Sequence, residues 1–185
     1  MATPIPPSSS SSSSSTDIIE KEIFNSNNDK SYTIKKCTHN ALKKNLKEMF
    51  PTPIQDNDDN LYVVMFWFKT DLPMSGYSDK TETERETQAS KFAILGNSIS
   101  TSIIDKGYWS DFIDPMSGIP SLTRENANAI FVPSEHGHSL GIEIVDVGCC
   151  QVMVHPLWKV RAFFSMVVAS APLDVILDSV NSNFN

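Results

Sequence analysis

The chain has 185 residues, of which 40% are hydrophobic and 20% charged, the composition of one ordinary globular domain. Its net charge of −7 argues against a nucleic-acid partner, because phosphates require a basic surface. Three cysteines are too few for a disulfide framework, and no apolar run approaches the roughly 20 residues of a membrane span. These features predict a protein of a reducing compartment, and we expect the cytoplasm.

The first 38 residues are polar and of low complexity, and they include eight consecutive serines. Such a composition buries too little apolar surface to offset the entropy lost on ordering. We therefore expect residues 1–38 to be disordered and a single α+β domain to span residues 39–185. The first basic residue is Lys21, and this lack of early positive charge argues against a mitochondrial import signal.

Three helices are predicted from apolar residues that recur at helical spacing. The first has Asn40 as its N-cap and ends before Pro51. The second opens at Asp79 and ends at Gly107, a typical C′ glycine. The third begins with Pro172 in its first position. The residues expected to face inward are Leu42, Leu46, Met49, Phe50, Phe92, Leu95, Ile99, Ile103, Leu173, Ile176, Leu177 and Val180.

The strands are predicted from apolar runs that turn residues bound. Residues 61–68 are continuously apolar, which indicates a strand buried on both faces. Residues 107–114 form a second strand, and residues 119–122 return beside it as a hairpin. Residues 141–154 are mainly strand, and residues 159–170 form another. This order of elements favours an α+β fold, a mostly antiparallel sheet with flanking helices.

Residues 123–139 form a polar loop that is long for a compact domain, and we therefore suspect it of a function. The loop carries Glu135, His136 and His138. In an exposed loop these histidines are ordinarily solvated. His136 and His138 remain candidate bases for an exposed cysteine, and together with His155 they are candidate zinc ligands.

The segment Gly148-Cys149-Cys150 places two of the three cysteines side by side. Side chains of a strand alternate between its faces, so Cys150 joins Val152 and Val154 on an apolar face and is predicted to lie in the core. Cys149 is predicted to face solvent, a ligand or a partner, and Gly148 leaves room for an approaching body. The polar face carries Cys149, Gln151, Met153 and His155.

Four roles remain open for Cys149 when the pattern is taken alone. It is an inert surface thiol, a zinc ligand together with histidines, a nucleophile with a loop histidine as its base, or a soft ligand for a metal that another molecule carries. A disulfide with Cys150 is disfavoured by ring strain and by the opposed side-chain directions. The chain has none of the motifs GxGxxG, GxxxxGK[ST], HExxH or GxSxG.

Two blocks, Gly107-YWSDFIDPMSG-Gly118 and Val147-GCCQVMVHPLW-Trp158, resemble the CblD family, the methylmalonic aciduria and homocystinuria type D proteins. In that family a GYW-x-DFIDP-x-SG segment precedes an LGCC-x-V-x-x-H-x-LW segment by about the same interval. The similarity covers roughly residues 37–180. This chain departs from the pattern at Val147, which replaces leucine, and in a divergent loop at residues 119–139.

The resemblance implies a fold similar to the flavin-dependent nitroreductases and to the partner protein CblC, without a flavin site. It implies a non-enzymatic adaptor that binds no free cobalamin of its own and docks on cobalamin-loaded CblC. Such an adaptor helps to route the cofactor to methionine synthase and, as a second destination, to methylmalonyl-CoA mutase. The first cysteine of the GCC motif is associated with a cobalt–sulfur bond in the complex, and this role carries over to Cys149.

We therefore expect Cys149 to give its thiolate to cobalt in trans, and the 123–139 loop and the GCC segment to contact CblC. The expected contact residues are Glu135, His136, His138, Gly148 and Gln151. Two other classes remain. One is a flavin-dependent reductase of the nitroreductase-like class, against which the absence of a basic phosphate-binding cluster in the sequence counts. The other is a zinc-stabilised interaction module.

Overall fold

The structure, a computed structural model, describes residues 20–56, 58–126 and 128–185. Its strands are β1 (Ile23–Phe24), β2 (Lys30–Lys36), β3 (Leu61–Lys69), β4 (Trp109–Ile113), β5 (Glu143–Asp146), β6 (Gln151–Val154) and β7 (Ala162–Ser170). Five of them form a central sheet in the order β1-β2-β3-β7-β4, and β5 and β6 form a separate hairpin. Every strand pairing among the described residues is antiparallel, which confirms the predicted sheet type.

The helices are α1 (Asn40–Met49), α2 (Asp79–Asp105), α3 (Gly137–Leu140) and α4 (Leu173–Asn183). Side chains from α2 and α4 pack on one face of the central sheet, and side chains from α1 pack on the other. This arrangement confirms the predicted α+β class. No helix among the described residues is long and apolar enough to cross a membrane.

The central strand β3 is covered on both faces, as its continuous apolar run predicted. Alternate residues along the strand enter the two halves of the core. The half beneath α2 and α4 receives Tyr62, Val64, Phe66 and Phe68, and the half beneath α1 receives Leu61, Val63, Met65 and Trp67.

The prediction that residues 1–38 are disordered is wrong for residues 20–38, because β2 pairs with β3 from Lys30↔Phe68 to Lys36↔Tyr62. Tyr32 and Ile34 are buried, and the Tyr32 hydroxyl lies 2.8 Å from Oδ1 of Asn181 on α4. These two residues alternate with polar ones between lysines, so the strand pattern is short and surrounded by charge. Residues 1–19 lie outside the described residues, and the prediction for them stays a prediction.

Helix α2 begins at Asp79 as predicted, whereas the starts of the other two predicted helices differ from the structure by one residue. Helix α1 begins at Asn40, and His39 holds the N-cap position without a side-chain hydrogen bond. Helix α2 is capped by Ser78, whose Oγ accepts a hydrogen bond from the Thr81 amide at 3.1 Å. Pro172 is the residue before α4 rather than its first residue. Of the predicted inward faces, only Leu95 and Leu173 are incompletely buried.

The region after β4 contains less strand and more helix than predicted. Residues 119–122 form a single bridge, Ile113↔Pro120, instead of a returning strand. The loop at 123–139 contains a 3₁₀ turn, Pro133–His136, that leads directly into α3. The fully buried Asp111 carboxylate holds the start of this loop against β4, because it accepts hydrogen bonds from the backbone amides of residues 121–123.

Candidate functional site: the tip of the β5–β6 hairpin

The two cysteines lie in the turn of the β5–β6 hairpin, and not on a strand as predicted. The strands pair from Glu143↔Val154 to Asp146↔Gln151, and residues 147–150 join them. The Val147 amide donates to the Cys150 carbonyl at 3.0 Å, and the Gly148 amide donates to Asp146 Oδ1 at 2.7 Å. The turn is therefore held by its own hydrogen bonds.

Gly148 satisfies a backbone requirement of this turn. Its φ of +90° lies in the left-handed region, where side chains with a Cβ are strained. A Cβ built on Gly148 would meet nothing within 4 Å, so no neighbour in the chain demands a glycine there. The conformation of the turn, and not crowding within the fold, accounts for the residue.

Cys149 is exposed, as predicted, whereas Cys150 is half-buried and does not belong to the core. The prediction for Cys150 is wrong because strand alternation does not extend into the turn. The two side chains also do not point in opposite directions, since their Sγ atoms lie 3.8 Å apart. Alternation does hold further along β6, where Val152 and Val154 are buried.

The Cys149 thiol at this turn favours its protonated form in the free chain. A hydrogen bond to Cys150, aided by the Asp146 charge, raises the pKa of Cys149 above its ordinary value. Coordination to a metal ion must displace the Cys149 proton.

Tyr77 stands beside the cysteines, and sequence reasoning did not identify it. Its hydrogen bond to the Cys150 side chain raises the pKa of the Tyr77 phenol. The Arg85 guanidinium lies over the Tyr77 ring, 5.4 Å from its centroid. Arg85 Nη2 also donates to the carbonyls of Met74 and Gly76, at 2.7 and 2.9 Å, and so fixes the segment that presents Tyr77.

The surroundings of the turn are apolar as well as accessible. The side chains of Val145 and Val147 are 37% and 41% exposed, and Tyr77 is 70% exposed. Single exposed apolar residues are common on protein surfaces, but a group of them around one functional group is typical of a binding surface. The tip therefore combines an accessible thiol with an apolar rim.

His155 lies at the other end of β6 and has a structural role. Its side chain is fully buried and stacks on Trp158, with ring centroids 4.2 Å apart. Its Nδ1 accepts hydrogen bonds from the amides of Leu157 and Trp158, at 3.1 and 3.0 Å. Nε2 therefore carries the proton of the neutral ring and donates it to Glu22 Oε1 at 2.5 Å. Both ring nitrogens are occupied, so His155 can serve Cys149 neither as a metal ligand nor as a base.

The two loop histidines differ from one another. His138 is exposed, and its ring meets that of His39 edge-on at 5.7 Å. His136 is buried and stacks on Phe131 at 5.0 Å, so the interpretation of a solvated loop residue is wrong for it. Its Nδ1 has no hydrogen-bond partner among the described residues, and burial lowers the pKa of the ring.

The histidines do not complete a metal site with Cys149. The described residues contain no group of three or more His, Cys, Asp or Glu side chains placed to hold one ion. A zinc-stabilised module built on Cys149 and histidines therefore lacks a ligand set in this part of the chain.

Several open cavities in the described part of the chain are large enough for a small molecule, and two of them are lined by more than one lysine. A cleft of about 550 Å³ is lined by Lys35 and Lys159 but also by the carboxylates of Glu20, Glu22 and Glu143. This excess of negative charge is unsuited to the phosphate of a flavin nucleotide.

The second cavity, a groove of about 410 Å³, includes Lys30, Lys69 and Lys91 beside Asp29. The Lys30 ammonium is already bound to the Phe184 carbonyl at 3.0 Å. The prediction that the chain has no flavin site is not tested by these cavities and stays a prediction.

Comparison with known proteins identifies the family. The family model described as "Methylmalonic aciduria and homocystinuria type D protein" matches residues 7–179. The chain belongs to this family. Curated relatives named "Cobalamin trafficking protein CblD" come from Mus musculus, Gallus gallus and Homo sapiens, and they are 30%, 32% and 31% identical to it over 133 residues.

Each of these alignments covers 72% of this chain but 44% of the relative, so the chain spans less than half the length of these CblD proteins. The relatives are named as trafficking proteins and not as enzymes. The family resemblance seen in the two sequence blocks is thus confirmed.

Proposed function

We propose that the chain is a cobalamin trafficking adaptor that places Cys149 on the cobalt of cobalamin carried by a CblC-like partner. The observation that carries this proposal is the position of Cys149, an exposed thiol at the tip of a hydrogen-bonded turn. The relatives' name supports the link to cobalamin. In this proposal the adaptor is not an enzyme, and the cofactor is shared with the partner.

The chemistry of ligation suits the local geometry. A thiolate is a soft, charged donor, and in this proposal it would bind the cobalt that the partner's cofactor carries. The corrin ring is wide and flat, so a donor must project from its surroundings to reach the metal. A hairpin tip projects in this way, while a thiol on the central sheet, such as buried Cys37, cannot reach an external metal.

The proton of Cys149 must leave when the cobalt–sulfur bond forms. In the free chain the neighbouring thiol and the Asp146 charge favour the protonated form. The positive metal centre replaces the proton at sulfur and reverses this preference. The proton that leaves Cys149 passes to solvent.

The partner is proposed to dock on the hairpin and on the segment that packs against it. The 3₁₀ turn contacts β6 and α3 contacts β5, so the loop and the hairpin form one continuous surface. Glu135, His138, Gly148 and Gln151 are exposed on these elements and can touch a partner. Buried His136 cannot, so in this proposal it holds the loop in place through its stacking on Phe131.

Delivery is proposed to serve methionine synthase in the cytoplasm, with methylmalonyl-CoA mutase as a second destination. Both destinations follow from the family resemblance. They are tested by whether the complex of this chain, partner and cobalamin transfers the cofactor to each purified apoenzyme.

The docking experiment mixes the chain with a cobalamin-loaded CblC-like protein and follows co-elution and the visible spectrum. Val147→Asp places a charge in the apolar rim and is expected to weaken complex formation by about tenfold or more. Ile104→Asp is the matched control, because Ile104 is 44% exposed against 41% for Val147 but lies on α2. Equal weakening by both variants, or by neither, would contradict docking at the hairpin.

A further inference from the structure

Cys149 and Cys150 form a pair of sulfurs at a fixed separation. Their Sγ atoms lie 3.8 Å apart, on consecutive residues of a turn that the Val147–Cys150 and Gly148–Asp146 hydrogen bonds hold. Both side chains reach solvent. The third cysteine, Cys37, is buried at the end of β2 and takes no part in this pair.

This separation matches the span of two thiolates on one tetrahedral ion. A zinc–sulfur bond is about 2.3 Å long, so two sulfurs on one tetrahedral ion lie roughly 3.8 Å apart. The turn therefore presents two soft donors at the chelating distance without a change in backbone conformation. A strand would have directed the two side chains to opposite faces.

We propose that Cys149 and Cys150 together chelate one thiophilic ion of the Zn²⁺ class, as a two-sulfur site open to solvent. Water or a small thiol completes the coordination. Each thiol releases its proton to solvent, and each sulfur donates an electron pair to the ion, so no atom changes its oxidation state. The proposed site includes neither of two nearby histidines, because both ring nitrogens of His155 are hydrogen-bonded and His136 is buried.

Two protein ligands give weaker binding than the four ligands of a structural zinc site. The proposed site is therefore one that fills and empties with the supply of thiophilic ions. If the proposed function holds, an ion bound by both sulfurs occupies the Cys149 sulfur that cobalt requires. Thiophilic ions would then compete with cobalt for Cys149.

The test uses the reduced full chain and two probes, without any corrinoid, so its outcome does not depend on the proposed function. The first probe is Zn²⁺, titrated in competition with a chromogenic chelator. The second is phenylarsine oxide, whose arsenic forms two As–S bonds while its oxygen leaves as water with the two thiol protons. The arsenical distinguishes a true pair from single thiols, because a stable product needs two sulfurs on one arsenic.

We expect one Zn²⁺ and one arsenical per wild-type chain. Cys149→Ser and Cys150→Ser are each expected to weaken Zn²⁺ binding by about tenfold or more and to abolish stable arsenical binding. Cys37→Ser is the matched control, and it should leave Zn²⁺ binding and arsenical binding unchanged. Circular dichroism verifies that this variant is folded. Binding that survives in either single variant, or that is missing in the wild-type chain, overturns the proposal.

Discussion

Strand β6 is flanked at each end by a residue that could bind a metal ion, and these two residues have different roles. At one end, Cys149 is exposed in a turn, and the nearest partner of its sulfur is another thiol. At the other end, His155 is fully buried, and both of its ring nitrogens are hydrogen-bonded. Each residue type is a potential metal ligand, so residue type alone does not separate the two ends.

Cys149 and His155 differ in the number of hydrogen-bond partners that the fold supplies to each side chain. Burial of a polar group is costly unless its hydrogen bonds are made, so the complete set around His155 stabilises the native state. The exposed thiol contributes little to folding and stays free to bind. The account therefore predicts that changes at the base of β6 affect stability and that changes at its tip affect binding.

The largest expected contrast is in cysteine reactivity. Burial raises the pKa of Cys37 to about 12, and the side chain is 2% exposed. Iodoacetamide should therefore modify Cys149 and Cys150 and react at least about a hundredfold more slowly with Cys37, since the thiolate is the nucleophile. Mass spectrometry after timed labelling gives the rates, with urea-unfolded chain as the control in which all three react. Fast labelling of native Cys37 would contradict the assigned burial.

At the base of β6, His155→Ala is expected to lower the free energy of unfolding by about 3–4 kcal/mol. The change removes the stacking on Trp158 and the Glu22 contact, and it leaves the Leu157 and Trp158 amides without their acceptor. His155→Asn should recover part of this loss, because its side-chain oxygen can accept from those amides. Urea unfolding measures both variants.

The matched change at the tip is Cys149→Ser, which should alter the free energy of unfolding by less than about 0.5 kcal/mol because the side chain is exposed. A loss of stability in this variant as large as that of His155→Ala would remove the distinction between the two ends.

A smaller effect is expected from Gly148→Ala, about 1–2 kcal/mol, since alanine is strained at φ +90°. Gly107→Ala is a matched control, because Gly107 has φ +87° and also has no neighbour within 4 Å of an added Cβ. Urea unfolding should show similar losses for both. Only the Gly148 variant should also weaken Zn²⁺ binding, and equal Zn²⁺ affinity in the two variants would argue against a role of the turn in placing the sulfurs.

The smallest expected effect is the contribution of His136 to the pH dependence of folding stability. Burial lowers the pKa of its ring in the folded chain, so the unfolded chain binds the proton more readily. Stability should therefore fall as the pH drops below the ordinary histidine value of about 6.5, and the fall continues to the lowered pKa of the folded state. His136→Phe keeps the stacking on Phe131 and should flatten this part of the pH profile in thermal unfolding. An unchanged slope would exclude His136 as its source.

Much of the fold followed from the sequence because its signals are local. The continuous apolar run of β3 and the helical spacing in α1, α2 and α4 predicted elements that are all present. The strand β2 was missed, because Tyr32 and Ile34 alternate with polar residues in a segment that is otherwise lysine-rich. Tyr32 and Ile34 are buried because β2 packs beside β3 and Tyr32 contacts α4, and a local sequence pattern does not reveal such long-range contacts.

The site was predicted in part. The exposure of Cys149 followed from strand alternation, but the same rule misplaced Cys150, since the chain turns at Gly148. Asp146, two residues before that glycine, is a turn signal that could have corrected it. Tyr77 lies more than 70 residues before Cys149 in the sequence, so no local pattern connects the two. The role of Glu22 likewise depends on a contact with the distant His155. Only the tertiary structure brings these residues together.

The most direct test of the central claim is the visible absorption spectrum of the cobalamin-loaded CblC-like partner mixed with each tip variant. The mixtures are compared at equal amounts of complex, measured by gel filtration. The account predicts a cobalt–sulfur absorption band with wild-type chain and with Cys150→Ser, and its loss with Cys149→Ser while the complex still forms. A band that persists in Cys149→Ser, or that disappears in Cys150→Ser instead, would contradict the assignment of Cys149 as the cobalt ligand.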